Sequence, residues 1–189
     1  MGVIRLMAGK GMHMQSPLVD PERSWLPLEK RMAEEKEPRR RQLLEQVRNH
    51  MRAELREQLE PVLATLVDEP VFNFFGGGMD GTLNGREPVV AYYKQMFAAG
   101  RMGAEFRLDR IAVDESSVVT EGVMLSKYSG EDLIAAGVKD VGNEPVQKGK
   151  DYLGELPMII MWPADKDGKL IGENIYMGGG FFDRLKRIN

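Results

Sequence analysis

Two carboxylic acids and one imidazole are the side chains of this sequence best suited to proton chemistry. A carboxyl held in apolar surroundings keeps its proton to higher pH, because desolvation disfavours the anion, and it becomes a useful acid or base near neutrality. Glu173 lies in the run Leu170 to Met177, where strand alternation puts it on one face with Ile175 and Met177 and opposite Asn174 and Tyr176. Asp80 sits on a glycine-flanked loop, placed either to cover a pocket mouth or to serve the turn itself. His50 lies three residues after Val47, at the edge of an apolar helical stripe. There an imidazole with an ordinary pKa near 6.5 acts as a base or packs as a core residue. Tyr92 and Tyr93 offer hydroxyls to a ligand oxygen, or pack as core.

Other groups read as structural. Arg107 and Asp109 share a strand face and suit a surface ion pair. Glu121 points to the outer face. Arg39-Arg40-Arg41 stands at a helix N-terminus, where positive charge is unfavourable, and reads as a solvated run meeting acids of a partner subunit. Gly178-Gly179-Gly180 has neither the lysine nor the strand–helix context of a phosphate loop. His13 and His50 lie far apart with no paired acid cluster between them, so no metal site is expected, and no cofactor. The chain has no cysteine, which removes disulfides, thiolate ligands and thiol nucleophiles and agrees with a cytoplasmic location. A net charge of −3 argues against a nucleic-acid partner. No apolar run approaches the ~18–20 residues of a membrane span, so no membrane partner is expected either.

These side chains must be positioned by a mixture of helices and strands. Residues 1–23 show no periodicity and read as a lead-in, with residues 1–37 as an N-terminal extension. Ser24 is the expected cap of a short helix reaching Glu35, with Pro27 in its first turn. Pro38 opens a second helix whose stripe is Leu44, Val47, Met51, Leu55 and Leu59; Pro61 ends or kinks it, and Val62 to Val67 form a third. Val71 to Phe75 is strand-like. Gly76 to Gly81 reads as loop, and Asn84-Gly85 starts a helix buried through Val89, Tyr93, Met96 and Phe97. Strands follow at Glu105 to Val113, Val118 to Leu125, Leu153 to Trp162 and Leu170 to Met177, the last two joined by a hairpin turn at Asp167-Gly168. Residues 126–150 read as an insertion with a helical turn near Glu131 to Ala136. The fold class is α+β: a long antiparallel sheet curled around helices into a cone, over residues 38–189.

The segment Leu83-Asn84-Gly85-Arg86-Glu87-Pro88-Val89 with Tyr92-Tyr93 resembles a segment of the nuclear transport factor 2-like superfamily. The ending Asp167-Gly168-Lys169-Leu170-Ile171, with Glu173 and Tyr176, is similar to the last hairpin of its SnoaL-like, polyketide cyclase-like branch. The resemblance covers roughly residues 40–189. It implies a homodimer, through outer sheet faces or the aromatic tail, and a small, largely apolar ligand in a cone-shaped pocket. It further implies acid–base cyclase, isomerase or dehydratase activity without metal, or else a non-catalytic binding or structural role. The catalytic residues of the superfamily's epoxide hydrolases fall on Gly122, Met124, Ile175, Phe72 and Phe74, and the oxyanion acid of its isomerases on Met158, so those chemistries are lost here. The isomerase base has no nearer acid than Asp80. Glu173 keeps the strand parity of the hydrolase acid and is ranked first. Phe72, Phe74, Met96, Phe97, Met124, Met158 and Trp162 read as pocket lining or as filled core.

Overall fold

The structure is a computed structural model that describes residues 18–98 and 103–189. His13 and most of the lead-in lie outside the described residues. A 3-10 turn, Pro21–Arg23, precedes helix α1 (Leu26–Glu34). Ser24 does not cap α1. Its hydroxyl instead accepts from the Phe106 amide at 2.9 Å and ties the helix entry to the sheet. The turn is fastened as well: the buried Glu105 carboxylate accepts from Asp20 N and from the Arg23 guanidinium. The last residues of the lead-in are therefore docked. Trp25 and Leu28 belong to the same core as the rest of the chain.

Helix α2 (Pro38–Leu55) buries Leu43, Leu44, Val47, His50, Met51 and Ala53, a broader face than the stripe read from its leucines. Pro61 does not stop a helix. It lies in the first turn of α3 (Leu59–Ala64), where its missing N–H costs nothing. Strand β1 (Leu66–Phe75) starts five residues before the aromatic run and turns at Gly76–Gly78 into β2 (Gly81–Asn84), a strand where a loop was expected. Helix α4 (Arg86–Ala98) buries Val89 and Tyr93 fully; Phe97 is half-buried against the core, and Met96, also half-buried, is not part of it.

The sheet continues through β3 (Glu105–Val113) and β4 (Ser117–Ser129). The expected insertion shrinks, because β4 stays paired with β7 (Asp151–Pro163) from Ser117↔Pro163 to Ser129↔Asp151. Between them lie helix α5 (Gly130–Ala135) and the small hairpin of β5 (Asp140–Val141) and β6 (Glu144–Pro145). After the Asp165–Lys169 turn come β8 (Leu170–Met177) and β9 (Leu185–Arg187). The strand order is β2-β1-β8-β7-β4-β3, with β9 pairing β7. The β1–β8 pair is parallel, which the reading of consecutive antiparallel strands did not include. One face of this curved, open sheet buries the core under α1–α4. The other exposes Phe75, Ile159, Met161 and Tyr176.

Gly172 is what lets β8 carry Glu173 inward. It has φ +152°, and an added Cβ would stand 1.9 Å from the Val71 carbonyl oxygen. With no side chain to place, Gly172 and Glu173 are both buried although they are consecutive. In the parallel register Glu173 lies beside Phe72.

Candidate active site

Glu173 and His50 meet at the centre of the core. The Glu173 side chain is 4% exposed and that of His50 is 0% exposed, with Glu173 Oε1 3.0 Å from His50 Nε2. The Tyr93 hydroxyl completes the group, 2.9 Å from His50 Nε2 and 3.3 Å from Glu173 Oε1. Each comes from a different element: His50 from α2, Tyr93 from α4 and Glu173 from β8. Trp162 of β7 walls the site, its ring edge-on to the imidazole at 5.4 Å, and its indole N–H donates to Thr120 Oγ1 at 2.9 Å.

Thr65, the residue capping the end of α3, fixes the imidazole. Its hydroxyl donates to the Val62 carbonyl at 2.6 Å, so toward His50 Nδ1, also at 2.6 Å, it can only accept. The Nδ1 atom therefore bears the proton, and in the neutral ring Nε2 presents a lone pair to Tyr93 and Glu173. Burial, the leading cause, pushes His50 down to about 4 and Glu173 up to about 8, against a smaller opposing pull on Glu173 from the Tyr93 hydrogen bond. Near pH 7 the pair is uncharged, with a carboxylic acid facing an imidazole lone pair. Burial first, then the Glu173 charge, also holds the Tyr93 hydroxyl well above its ordinary value, so it stays protonated and keeps its proton to donate.

A third acid, Glu54, is absent from the sequence reading. It follows His50 by one helical turn, so the two share a face of α2. Burial, followed by the Glu173 charge, holds its carboxyl above the usual carboxylate range. One donor atom each of His50, Glu54 and Glu173 lies within 4.8 Å of the others. His50 thus has two acids near it, which corrects the premise on which a metal site was excluded. That spacing is within reach of a divalent cation. The lone pair such an ion would need, however, already faces the Tyr93 hydroxyl and the Glu173 carboxyl.

The structure does not bring Asp80 to this site. Its exposed carboxylate accepts from Gly76 N at 2.8 Å and serves the turn. Phe72, Phe74, Met158 and Trp162 are buried core, Tyr92 packs edge-on to Phe72 and tilted against Phe74, and Met124 is half-buried against the same cluster. The interior around His50 is filled by these side chains. The clefts beside β9 and the β5–β6 hairpin and between α1 and β3 touch neither His50 nor Glu173. Arg107 and Asp109 are both exposed, and the register shift between Leu108 and Arg110 breaks the simple alternation that would align them. Glu121 pairs with Arg110 on the surface. Arg40 meets Glu115 of its own chain rather than a partner's acids, and Arg39 donates to the Glu115 and Asp165 carbonyls. No helix among the described residues is long and apolar enough to cross a membrane.

No family sequence model and no curated protein sequence matches the chain. Solved structures do. A SnoaL-like protein from Shewanella putrefaciens CN-32 superposes with a TM-score of 0.57 at 14% identity, over 87% of this chain and 92% of that one. A SnoaL-like protein from Jannaschia sp. CCS1 gives 0.55 at 16% identity, over 76% and 90%. The epoxide hydrolase/cyclase-like enzyme SalBIII, of pyran ring formation in the polyether salinomycin, gives 0.52 at 9% identity, over 77% and 95%. The helices and the curved open sheet are therefore those of the nuclear transport factor 2-like fold, in the form found in SnoaL-like polyketide cyclases.

Proposed function

We propose that the chain is an acid–base enzyme of the cyclase, isomerase or dehydratase type, acting on a small, largely apolar molecule that bears a carbonyl or hydroxyl oxygen. One observation carries this reading: three proton-bearing groups from three elements converge within 2.9–3.3 Å in an apolar, water-poor interior. A buried histidine kept only for packing needs one partner at each nitrogen; here Nε2 faces two.

In the proposed cycle Tyr93 donates a hydrogen bond to the substrate oxygen. Glu173, a neutral acid near pH 7, gives its proton to that oxygen as the C–O bond polarises or breaks. His50 Nε2 takes a proton from the neighbouring carbon or hydroxyl. The resulting imidazolium stands 3.0 Å from the new carboxylate and returns the proton to it, which restores the site with no net change in charge. Substrate enters by displacing half-buried side chains; Tyr92 and Phe97 of α4, whose rings lie 5.5 and 5.7 Å from that of Tyr93, are two such covers. The SalBIII likeness supports looking first among cyclic ethers and their hydroxylated precursors.

The packed interior favours a second reading, a structural or ligand-binding homodimer without turnover. One experiment separates the two. Native mass spectrometry identifies any co-purified molecule, and a panel of apolar hydroxy-ketones, epoxides and hydroxy-ethers is assayed with wild type and Glu173→Gln. Acid–base function predicts turnover that falls roughly 10²–10⁴-fold in the variant. Equal turnover in both proteins removes Glu173 from the chemistry. A ligand bound unchanged by both supports the second reading.

A further inference from the structure

The acid–base cycle uses His50, Tyr93 and Glu173 and leaves the Glu54 carboxyl beside them without a role. Burial, the Glu173 charge and the His50 ring act on that carboxyl; no hydrogen bond, lysine or arginine does. An enclosed carboxyl without a partner is costly to keep, and its persistence asks for an explanation. The surroundings of Glu54 match a metal ligand set. His50 and Glu54 are four residues apart on α2, so one helical face presents both, and Glu173 reaches the same point from β8. The His50 Nδ1–H is held by Thr65 Oγ1 at 2.6 Å, the kind of outer hydrogen bond that orients metal-bound histidines and leaves Nε2 to ligate. Donor atoms on a four-coordinate zinc stand roughly 3.3 Å apart, given bonds of about 2.0–2.1 Å. His50 Nε2 and Glu173 Oε1 are 3.0 Å apart, and one donor atom each of His50, Glu54 and Glu173 lies within 4.8 Å of the others. A small inward swing of Glu54 closes the set. As a residue Glu54 is half-buried while His50 and Glu173 are buried, which puts the entry side at Glu54.

We propose that His50, Glu54 and Glu173 form a binding site for a first-row divalent cation, with zinc the best match to one imidazole and two carboxylates. The site stands on geometry and goes beyond the acid–base reading, which uses His50 and Glu173 without a metal. On binding, the Nε2 lone pair passes to the cation and the Glu173 proton leaves to solvent. The Tyr93 hydroxyl, 3.3 Å from Glu173 Oε1, turns its hydrogen bond to that carboxylate. Two carboxylates then balance the dication, and water takes the fourth position. The metal-bound centre has neither a neutral acid nor a free imidazole base. Cation and acid–base cycle therefore exclude each other, and zinc inhibits turnover at this site; that consequence alone rests on the acid–base reading.

The test needs no substrate: the full chain is stripped with a chelator and given zinc chloride alone. Equilibrium dialysis with elemental analysis should find one zinc per chain, taken up on standing or on refolding with the ion present. In ¹⁵N-histidine-labelled protein the His50 Nε2 resonance should move to the position of a metal-bound nitrogen while Nδ1 keeps its proton. Glu54→Gln, of the same size, should weaken binding at least about tenfold, the low end of what losing even an outer partner of a metal site costs. Glu60→Gln, exposed on α3 and outside the site, should bind as wild type does. No uptake by either route overturns the proposal. So does uptake that leaves the His50 ring nitrogens unmoved, which puts the ion elsewhere, His13 included, and so does equal affinity in Glu54→Gln and wild type. If Glu54→Gln does not fold, the nitrogen shift in wild type decides alone. Failure here leaves the acid–base reading standing, because turnover and its loss in Glu173→Gln are measured in metal-free protein.

Discussion

Replacing Glu173 by glutamine should make the protein more stable at alkaline pH while changing it little in acid. In the folded chain the Glu173 carboxyl keeps its proton up to about 8, against 4.5 for a free side chain. Between those values the unfolded chain has released a proton that the folded chain retains, so stability falls as pH rises. The fall spans roughly three and a half pH units at about 1.4 kcal/mol per unit, or roughly 5 kcal/mol in all, complete above about pH 8. Glutamine mimics the protonated acid: its amide N–H can donate to His50 Nε2 and its oxygen can accept from Tyr93. It cannot ionise, so it does not incur that loss. Removing the Glu173 charge also relieves Glu54, which works in the same direction. Urea unfolding of both proteins from pH 5 to 9 reads the difference. The two should lie close at pH 5 and diverge in favour of the variant by several kcal/mol at pH 9. Parallel curves across this range would refute the argument that Glu173 is buried as a neutral acid.

Three further outcomes follow from the fold. Gly172→Ala should cost more than about 4 kcal/mol or abolish folding, because its Cβ meets the Val71 carbonyl oxygen at 1.9 Å; a soluble variant with an unchanged melting temperature would contradict the β8 geometry. Deleting residues 1–23 should cost about 1.5–3 kcal/mol, since Glu105 loses its donors from Asp20 and Arg23, and adding Glu105→Gln should recover part of that loss; no change in denaturation midpoint would mean the contact is idle. The apolar outer face of Phe75, Ile159, Met161 and Tyr176 predicts self-association, so Ile159→Lys should shift the mass by light scattering from dimer to monomer; a wild type monomeric at all concentrations counts against it.

The four long strand segments of the second half were legible because their apolar alternation is strong, and α2 because its stripe recurs at three and four residues. β2 was not: Gly81-Thr82-Leu83-Asn84 carries turn residues, and it pairs as an edge strand only because β1 lies beside it. β1 hid behind Asp68-Glu69, whose polarity suits the exposed positions there, and behind the buried Pro70 that follows. The insertion was drawn too wide because Ser126 to Ser129 and Asp151 are polar, while the β4–β7 ladder that holds them is set by residues far apart in the chain.

Of the site, Glu173 was readable from strand parity and His50 from its place beside the α2 stripe. The distances and the tautomer at which they meet were not, since those depend on how α2 crosses the sheet. Glu54 carried a readable signal, its four-residue spacing from His50, but it looked like one more solvated acid among the charges of α2. Thr65 carried none, because its role as the acceptor that orients the imidazole exists only once α3 ends against α2. Asp80 was singled out for its glycine-flanked loop, and that same local chemistry is what holds it in the turn.

The most direct test of the buried acid–base pair is a carboxyl ¹³C titration of Glu173, with the His50 ring nitrogens followed in the same samples. The structure predicts a Glu173 midpoint near 8, and a His50 ring that stays neutral from pH 8 down to about pH 5 with its proton on Nδ1. A Glu173 midpoint near 4.5, with His50 titrating near 6.5, would contradict it and remove the neutral acid on which the proposed chemistry depends.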